Sequence, residues 1–299
     1  MELSLQEKLL KRALADIGYN FKRGRLDTTA HPFMTSIGVG DARITTRYDK
    51  NNFLSGLFTA LHEGGHALYE QGFSDEHWGT PLAQPVSLGI HESMSRLWEN
   101  IIGRSTAFSD YLYNLVKEIA PEAAQRFSAQ DIYAAVNRVR PSLIRVEADE
   151  VTYSLHVVIR MLLEEQLVSK ELSVKELPAA WNELYKKYLD IMPTDNRDGV
   201  MQDVHWYHGL IGYFPTYALG NLYDGLFRKT IYRQISNLDQ KIATGDFSGL
   251  TKWVFNNISS HGMRYTATEL AKRVTGEELS AEPFLNYISE KFNLNGKDS

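Results

Sequence analysis

The 299-residue chain contains no cysteine. A disulfide framework, a thiolate nucleophile and cysteine metal ligation are therefore excluded, and a reducing compartment such as the cytoplasm is the natural setting. No apolar run approaches the roughly 18 residues that span a bilayer, so no membrane partner is expected. The opening M-E-L-S-L-Q-E-K-L-L-K-R scatters charge through its apolar positions and is not a secretory signal. An excess of positive charge is also missing. The net charge is −5 and the sequence pI is near 6.0, which argues against nucleic acid as the partner. Internal repeats, low-complexity tracts and long linkers are absent too, so residues 1–299 read as one domain.

Hydrophobic residues make up 43% of the chain, enough for a sizeable core. Most of it has helical periodicity. Leu3, Leu5, Leu9, Leu10, Ala13, Leu14 and Ile17 form one stripe that stops near Gly18. Phe53, Leu54, Leu57, Phe58, Leu61 and Leu68 form a second, with Gly72 as its end. Ile90, Met94, Leu97, Trp98, Ile101 and Ile102 form a third. Further helices are predicted near 107–119, 128–139, 146–168, 174–190, 216–242, 247–258 and 281–291. Ser128 is placed to cap one of them and Pro215 to open another. The β-branched stretch 33–48, broken by Gly38 and Gly40, predicts a short hairpin. The tail from Lys291 to Ser299 is expected to fray. The fold class is mainly α, with a small β element before the second stripe.

The second stripe carries His62-Glu63-Gly64-Gly65-His66. A helix turns once in 3.6 residues and rises about 5.4 Å per turn, so His62 and His66 share a face and can reach one ion at roughly 2.0–2.1 Å. Glu63 is rotated by about 100°, where it can touch a water without ligating. This is the H-E-x-x-H pattern of two zinc ligands and a general base. In a chain of this length the pattern arises by chance in a few per cent of cases, of the order that accompanies any short motif. Each glycine costs about 1 kcal/mol relative to alanine in a helix interior. Close approach by a backbone or substrate, and tight helix packing, are both open readings of Gly64 and Gly65.

A catalytic site of this kind needs a third protein ligand and an open position. The route through a third histidine fails, because Gly72 stands where it would be. A carboxylate on the next helix is the other route, and Ile90-His91-Glu92-Ser93 supplies one 26 residues after His66. Glu92 lies one position off the apolar pair Ile90 and Met94, so spacing favours it over Glu99 or Glu70.

The sequence resembles the M32 metallocarboxypeptidases, the thermostable or Taq-type carboxypeptidases of the zincin group. The family's motifs occur in order: His31-Pro32-Phe33; Asp41, Arg43 and Thr45; His62 to His66; His91-Glu92-Ser93-Met94; Ile144, Arg145, Ala148 and Asp149; and Gly199, Gln202, Asp203, His205 and Trp206. In the fourth, Met94 replaces the family's glutamine. The resemblance implies a helical fold with a deep central groove and a divalent metal, zinc or alternatively cobalt. It also implies peptide substrates losing C-terminal residues, and a homodimer. By motif position it makes His62, His66 and Glu92 the ligands and Glu63 the base. Family members are longer, and this chain aligns with roughly their C-terminal three-fifths.

An exopeptidase grips a free carboxylate, and a guanidinium does so with two parallel hydrogen bonds. Arg145 is the choice on its motif, against an i,i+4 ion pair with Asp149 as the structural alternative. Tyr217 is a second candidate for the carboxylate or the tetrahedral intermediate, against a core tyrosine. His205 is a candidate oxyanion donor, with Gln202, Asp203 and Trp206 as a network supporting it. His31, Asp41 and Arg43 read as groove wall or scaffold. Two other functions compete: an oligopeptidase cutting internal bonds, and a shortened inactive relative serving as a metal-holding interaction module.

Overall fold

The computed structural model describes residues 1–294; residues 295–299, most of the tail expected to fray, lie outside them. Helix α1 (Leu3–Asp16) is followed by strands β1 (Leu26–Thr28), β2 (Met34–Gly38) and β3 (Asp41–Thr46). Helix α2 (Phe53–Gln71) leads through short turns to α3 (Leu88–Arg96), which continues as a π-helical stretch, Leu97–Ile102. The remaining helices are α4 (Thr106–Ile119), α5 (Pro121–Ala124), α6 (Ala129–Val136), α7 (Tyr153–Val168), α8 (Leu177–Leu189), α9 (Pro215–Gln234), α10 (Leu238–Ala243), α11 (Ser248–Asn257), α12 (Ala267–Thr275) and α13 (Glu282–Phe292). None is long and apolar enough to cross a membrane.

The predicted hairpin is β2 and β3, antiparallel with Met34 opposite Ile44 and a register shift between Ser36 and Gly38. The sheet gains a strand that periodicity does not reveal: β1 pairs parallel to β3, giving the order β1-β3-β2. The central strand buries Ala42 and Ile44, and the buried Thr46 hydroxyl donates to the Gly56 carbonyl of α2. That contact joins the sheet to the histidine helix.

Leu10 and Leu14 of α1, Leu61 and Leu68 of α2, Met94 of α3, Trp98 beyond it and Leu226 of α9 meet in the main core. Helices α7 and α8 pack through a second core of Ile159, Leu163, Trp181 and Tyr185. A small cluster of Tyr153, Val157 and Phe214 lies under Trp206 and Tyr217. Burial of whole helix faces on this scale is the main favourable term holding the elements together.

Two predicted helices are shorter than their periodicity. The segment expected to be helical from 146 begins only at Tyr153. There the Asp149 carboxylate accepts from the amides of Val151 and Thr152 and from the Thr152 hydroxyl, turning the chain before the helix starts. The segment 216–242 is cut at Ile235–Asn237, where Asn237 adopts φ 56°.

Candidate metal centre

Gly65 and Gly64 explain how α2 is seated. A Cβ on Gly65 would lie 2.6 Å from the Met94 carbonyl oxygen and 2.7 Å from Ser95 Cα. The backbone of α3 therefore runs directly over that glycine. A Cβ on Gly64 would meet side chains of α1 and its C-cap, Leu14 at 2.6 Å and Ile17 at 4.0 Å. Tight helix packing accounts for both residues. On the far side of α3, Gly220 of α9 lets Glu92 pack flat, since a Cβ there would stand 2.8 Å from Glu92 Cγ. The neighbouring Ser93 hydroxyl donates to Asp224 of α9 at 2.8 Å.

This packing brings His62, His66 and Glu92 together, with one potential ligand atom from each and all three within 4.8 Å of one another. Glu92 Oε2 is 4.0 Å from His62 Nε2 and 3.7 Å from His66 Nε2. The other face of each imidazole is already engaged. His66 Nδ1 donates to the His91 carbonyl at 2.9 Å, and His62 Nδ1 bonds Glu99 Oε2 at 2.8 Å. A carbonyl only accepts, so His66 carries its hydrogen on Nδ1 and offers a lone pair at Nε2. Two imidazole nitrogens and one carboxylate oxygen form the donor set of a catalytic divalent-metal site. Burial pushes the His62 imidazolium down, yet Glu92 and Glu99 outweigh it and raise its pKa to about 9, so a cation at Nε2 would bind by displacing a proton there. His66 is driven well below the ordinary range, by burial first and then by His91 and His62.

Glu92 is buried and its second oxygen, Oε1, accepts from Arg96 Nε at 2.9 Å. Arg96 thus supplies support that Met94, apolar and fully buried, cannot give. The Glu63 carboxylate, next to His62 on α2, has no hydrogen-bond or ion-pair partner among the described residues. Burial raises its carboxyl pKa, assisted by Glu92 and Glu99 and opposed by His62. His91, beside Glu92, stacks on the His66 ring at 4.4 Å and bonds Glu70 at 2.9 Å.

Arg145 lies in a short 3-10 turn, Arg145–Glu147, and its partner is not Asp149. Its Nε and Nη2 both donate to Asp203 Oδ1, at 3.0 and 2.8 Å, and Nη1 donates to the Tyr153 hydroxyl at 2.8 Å. Three of its five N–H groups are thereby committed. Arg160, fully buried, takes the other Asp203 oxygen at 2.6 Å. Gln202 accepts from the Arg145 amide and from Arg160. The expected network thus centres on the two arginines rather than on His205, whose Nδ1 stands 3.9 Å from Asp203 and has no hydrogen-bond partner among the described residues. Trp206 instead donates to Glu164. His205 Nε2 lies 2.9 Å from the Tyr217 hydroxyl, and the Arg145 guanidinium lies over the Tyr217 ring at 4.6 Å.

These residues connect to the metal cluster through Tyr153, which sequence reasoning did not single out. Arg96, holding Glu92, lies 3.9 Å over the Tyr153 ring, while Arg145 bonds its hydroxyl. Tyr153 lies inside the apolar periodicity of the predicted 146–168 helix, which carries no sign of a functional role. Tyr213, tilted 5.2 Å from the His205 ring, lies in the loop before α9 and carries no motif signal of its own. His31 is exposed, and Asp41 pairs with Arg43 on β3 at 2.9 Å.

Fold and site together define the class: a helical zincin-type protein with H-E-x-x-H on one buried helix and a glutamate on the next. The sequence matches the carboxypeptidase Taq (M32) metallopeptidase family over residues 1–292, and the chain belongs to that family. It is 49% identical to thermostable carboxypeptidase 1 of Thermus thermophilus over 96% of its own length, and 41% identical to carboxypeptidase 1 of Bacillus subtilis over 96%. Among solved structures, the M32 carboxypeptidase from Deinococcus radiodurans superposes with a TM-score of 0.95 at 42% identity, covering 98% of this chain and 59% of that one. The Pyrococcus furiosus carboxypeptidase gives 0.93 at 41%, covering 97% and 59%. The chain spans 56% and 58% of the two curated relatives' lengths.

Proposed function

We propose that this chain carries the catalytic unit, residues 1–299, of a metal-dependent carboxypeptidase releasing C-terminal amino acids from peptides. The observation that carries the reading is the convergence of three ligand atoms, with the outer nitrogens of both imidazoles already tied, beside an uncommitted glutamate. His62, His66 and Glu92 would hold one divalent ion, zinc by donor type, with cobalt as an alternative. Such an ion supplies Lewis acidity and lowers the pKa of water to about 7. Glu63 would accept a proton from water at its carboxylate and hand it to the leaving amine. Tyr217, oriented by His205, is the candidate donor to the developing oxyanion. Arg145 would receive the terminal carboxylate with the N–H groups that Asp203 and Tyr153 leave free.

We infer a homodimer in the cytoplasm, from the family resemblance and the cysteine-free composition. The test is release of C-terminal amino acids with and without a chelator. It is paired with a peptide whose C-terminus is amidated, and with metal analysis of wild type and Glu63→Gln. Chelator-sensitive release from the free peptide alone, falling about 10²- to 10⁴-fold in Glu63→Gln with metal retained, is the expected result. Cleavage of both peptides favours an oligopeptidase. Equal inertness of the two metal-loaded proteins would leave an interaction module.

A further inference from the structure

We propose that Glu99 is a positioning residue for the metal centre, holding His62 in the tautomer whose Nε2 lone pair faces Glu92. The inference rests on the metal-site reading above. Glu92 and Glu99 are seven residues apart and approach the same imidazole from opposite sides. Glu92 Oε2 stands 4.0 Å from Nε2, and Glu99 Oε2 stands 2.8 Å from Nδ1. Glu99 sits in the π-helical stretch Leu97–Ile102, a geometry that is rare and recurs at functional sites.

The glutamate is itself fixed. Its Oε1 accepts from Arg104 Nη2 at 3.0 Å, and Arg96 Nη1 lies 4.0 Å from Oε2. Arg104 is tied in turn to the Asn100 side chain and the Val136 carbonyl, and lies over the Phe58 ring of α2. Two cations already satisfy Glu99 as a structural ion pair, so that role leaves its contact with His62 unexplained. A carboxylate on the outer nitrogen of a ligating histidine does explain it. Such a partner fixes the ring and tautomer and strengthens the nitrogen as a donor. The two histidines differ here, since His66 has a neutral carbonyl where His62 has a charged carboxylate. His62 is therefore the stronger donor of the pair. Arg96 joins both ends of the arrangement, because the same guanidinium bonds Glu92 Oε1.

The experiment compares wild type, Glu99→Gln and Glu99→Met by competition for Zn²⁺ against a chromophoric chelator, and by the visible absorption of the Co²⁺-loaded proteins. Glutamine keeps an acceptor of the same shape without the charge, and methionine removes the acceptor at similar volume. Zn²⁺ affinity should fall about 10- to 100-fold in Glu99→Met and less in Glu99→Gln, with altered Co²⁺ bands in both. A merely structural ion pair would lower thermal stability and leave affinity and spectrum in place, which overturns the proposal. If Glu99→Met does not fold, Glu99→Gln decides, and wild-type affinity together with a wild-type spectrum overturns it. Wild type that binds neither ion refutes the metal-site reading itself, and this inference with it.

Discussion

Gly65→Ala tests whether the approach of two helices sets the metal centre. The new methyl would stand 2.6 Å from the Met94 carbonyl oxygen and 2.7 Å from Ser95 Cα, where ordinary contact begins at 3.4 Å. Helices α2 and α3 would have to part by roughly 0.8 Å, because both obstacles are backbone. Alanine returns about 1 kcal/mol of helix propensity, while overpacking costs about 1–3 kcal/mol. The net destabilisation is therefore modest, about 0–2 kcal/mol. The effect on the ligand set is larger, since Glu92 rides on α3 and donor distances tolerate only about 0.2 Å. Metal affinity should fall at least about tenfold, a loss of about 1.4 kcal/mol. Gly64→Ala is the control on the adjacent residue. Its methyl meets the buried Leu14 side chain at 2.6 Å rather than the backbone of α3, so it should leave affinity unchanged while overpacking offsets the gain in helix propensity. Urea unfolding of the metal-free proteins and Zn²⁺ competition read the two quantities separately. If the two variants behave alike, or if Gly65→Ala binds metal as wild type does, helix spacing does not control the site.

Asp203→Asn leaves Arg160 and Arg145 buried without their anion, and should cost about 3–5 kcal/mol in denaturant unfolding; a loss under about 1 kcal/mol would refute the pairing as a stabilising element. Arg145→Lys replaces a planar fork by a point charge and should lower kcat/KM on free-carboxylate peptides about 10- to 100-fold, an effect absent if Arg145 only supports the fold. His156 is fully buried, and burial, with Arg160 and Arg145, lowers its pKa from 6.5 to about 3. The unfolded chain then binds the extra proton, so the contribution is complete above pH 6.5 and is lost as pH falls toward 3, by about 2 kcal/mol at about pH 5. Stability of His156→Gln should be flatter over that window, and an unchanged acid limb would show that the loss arises elsewhere.

The residues that could be read from sequence were those whose signals are local. Gly72 ends α2, Ser128 forms a capping box with Asp131, Pro215 opens α9, and Glu92 turns inward at its place on the third stripe. What escaped notice was mostly set by partners distant in the chain. Strand β1 has three residues and exists because β3, about eighteen residues later, completes its hydrogen bonds. Asp203 claims Arg145 across 58 residues, overriding the nearer Asp149, which is occupied by the helix start. Helix α12 is a different case. Its capping box, Thr266 with Glu269, is a local signal, but Leu270 and Ala271 give it only a narrow apolar face.

The stack of Arg96, Tyr153 and Arg145 has a consequence for product size. One end bonds Glu92, the proposed metal ligand, and the other is the proposed carboxylate grip. Under the proposed function, such a spacer would work as a ruler along the bound peptide. Shifting the product from a single amino acid to a dipeptide would need one end to move by about 3.4 Å, one residue of extended chain. Tyr153 is thus the gauge block: a shorter side chain there should blur the register at which peptides are cut before it slows the cutting.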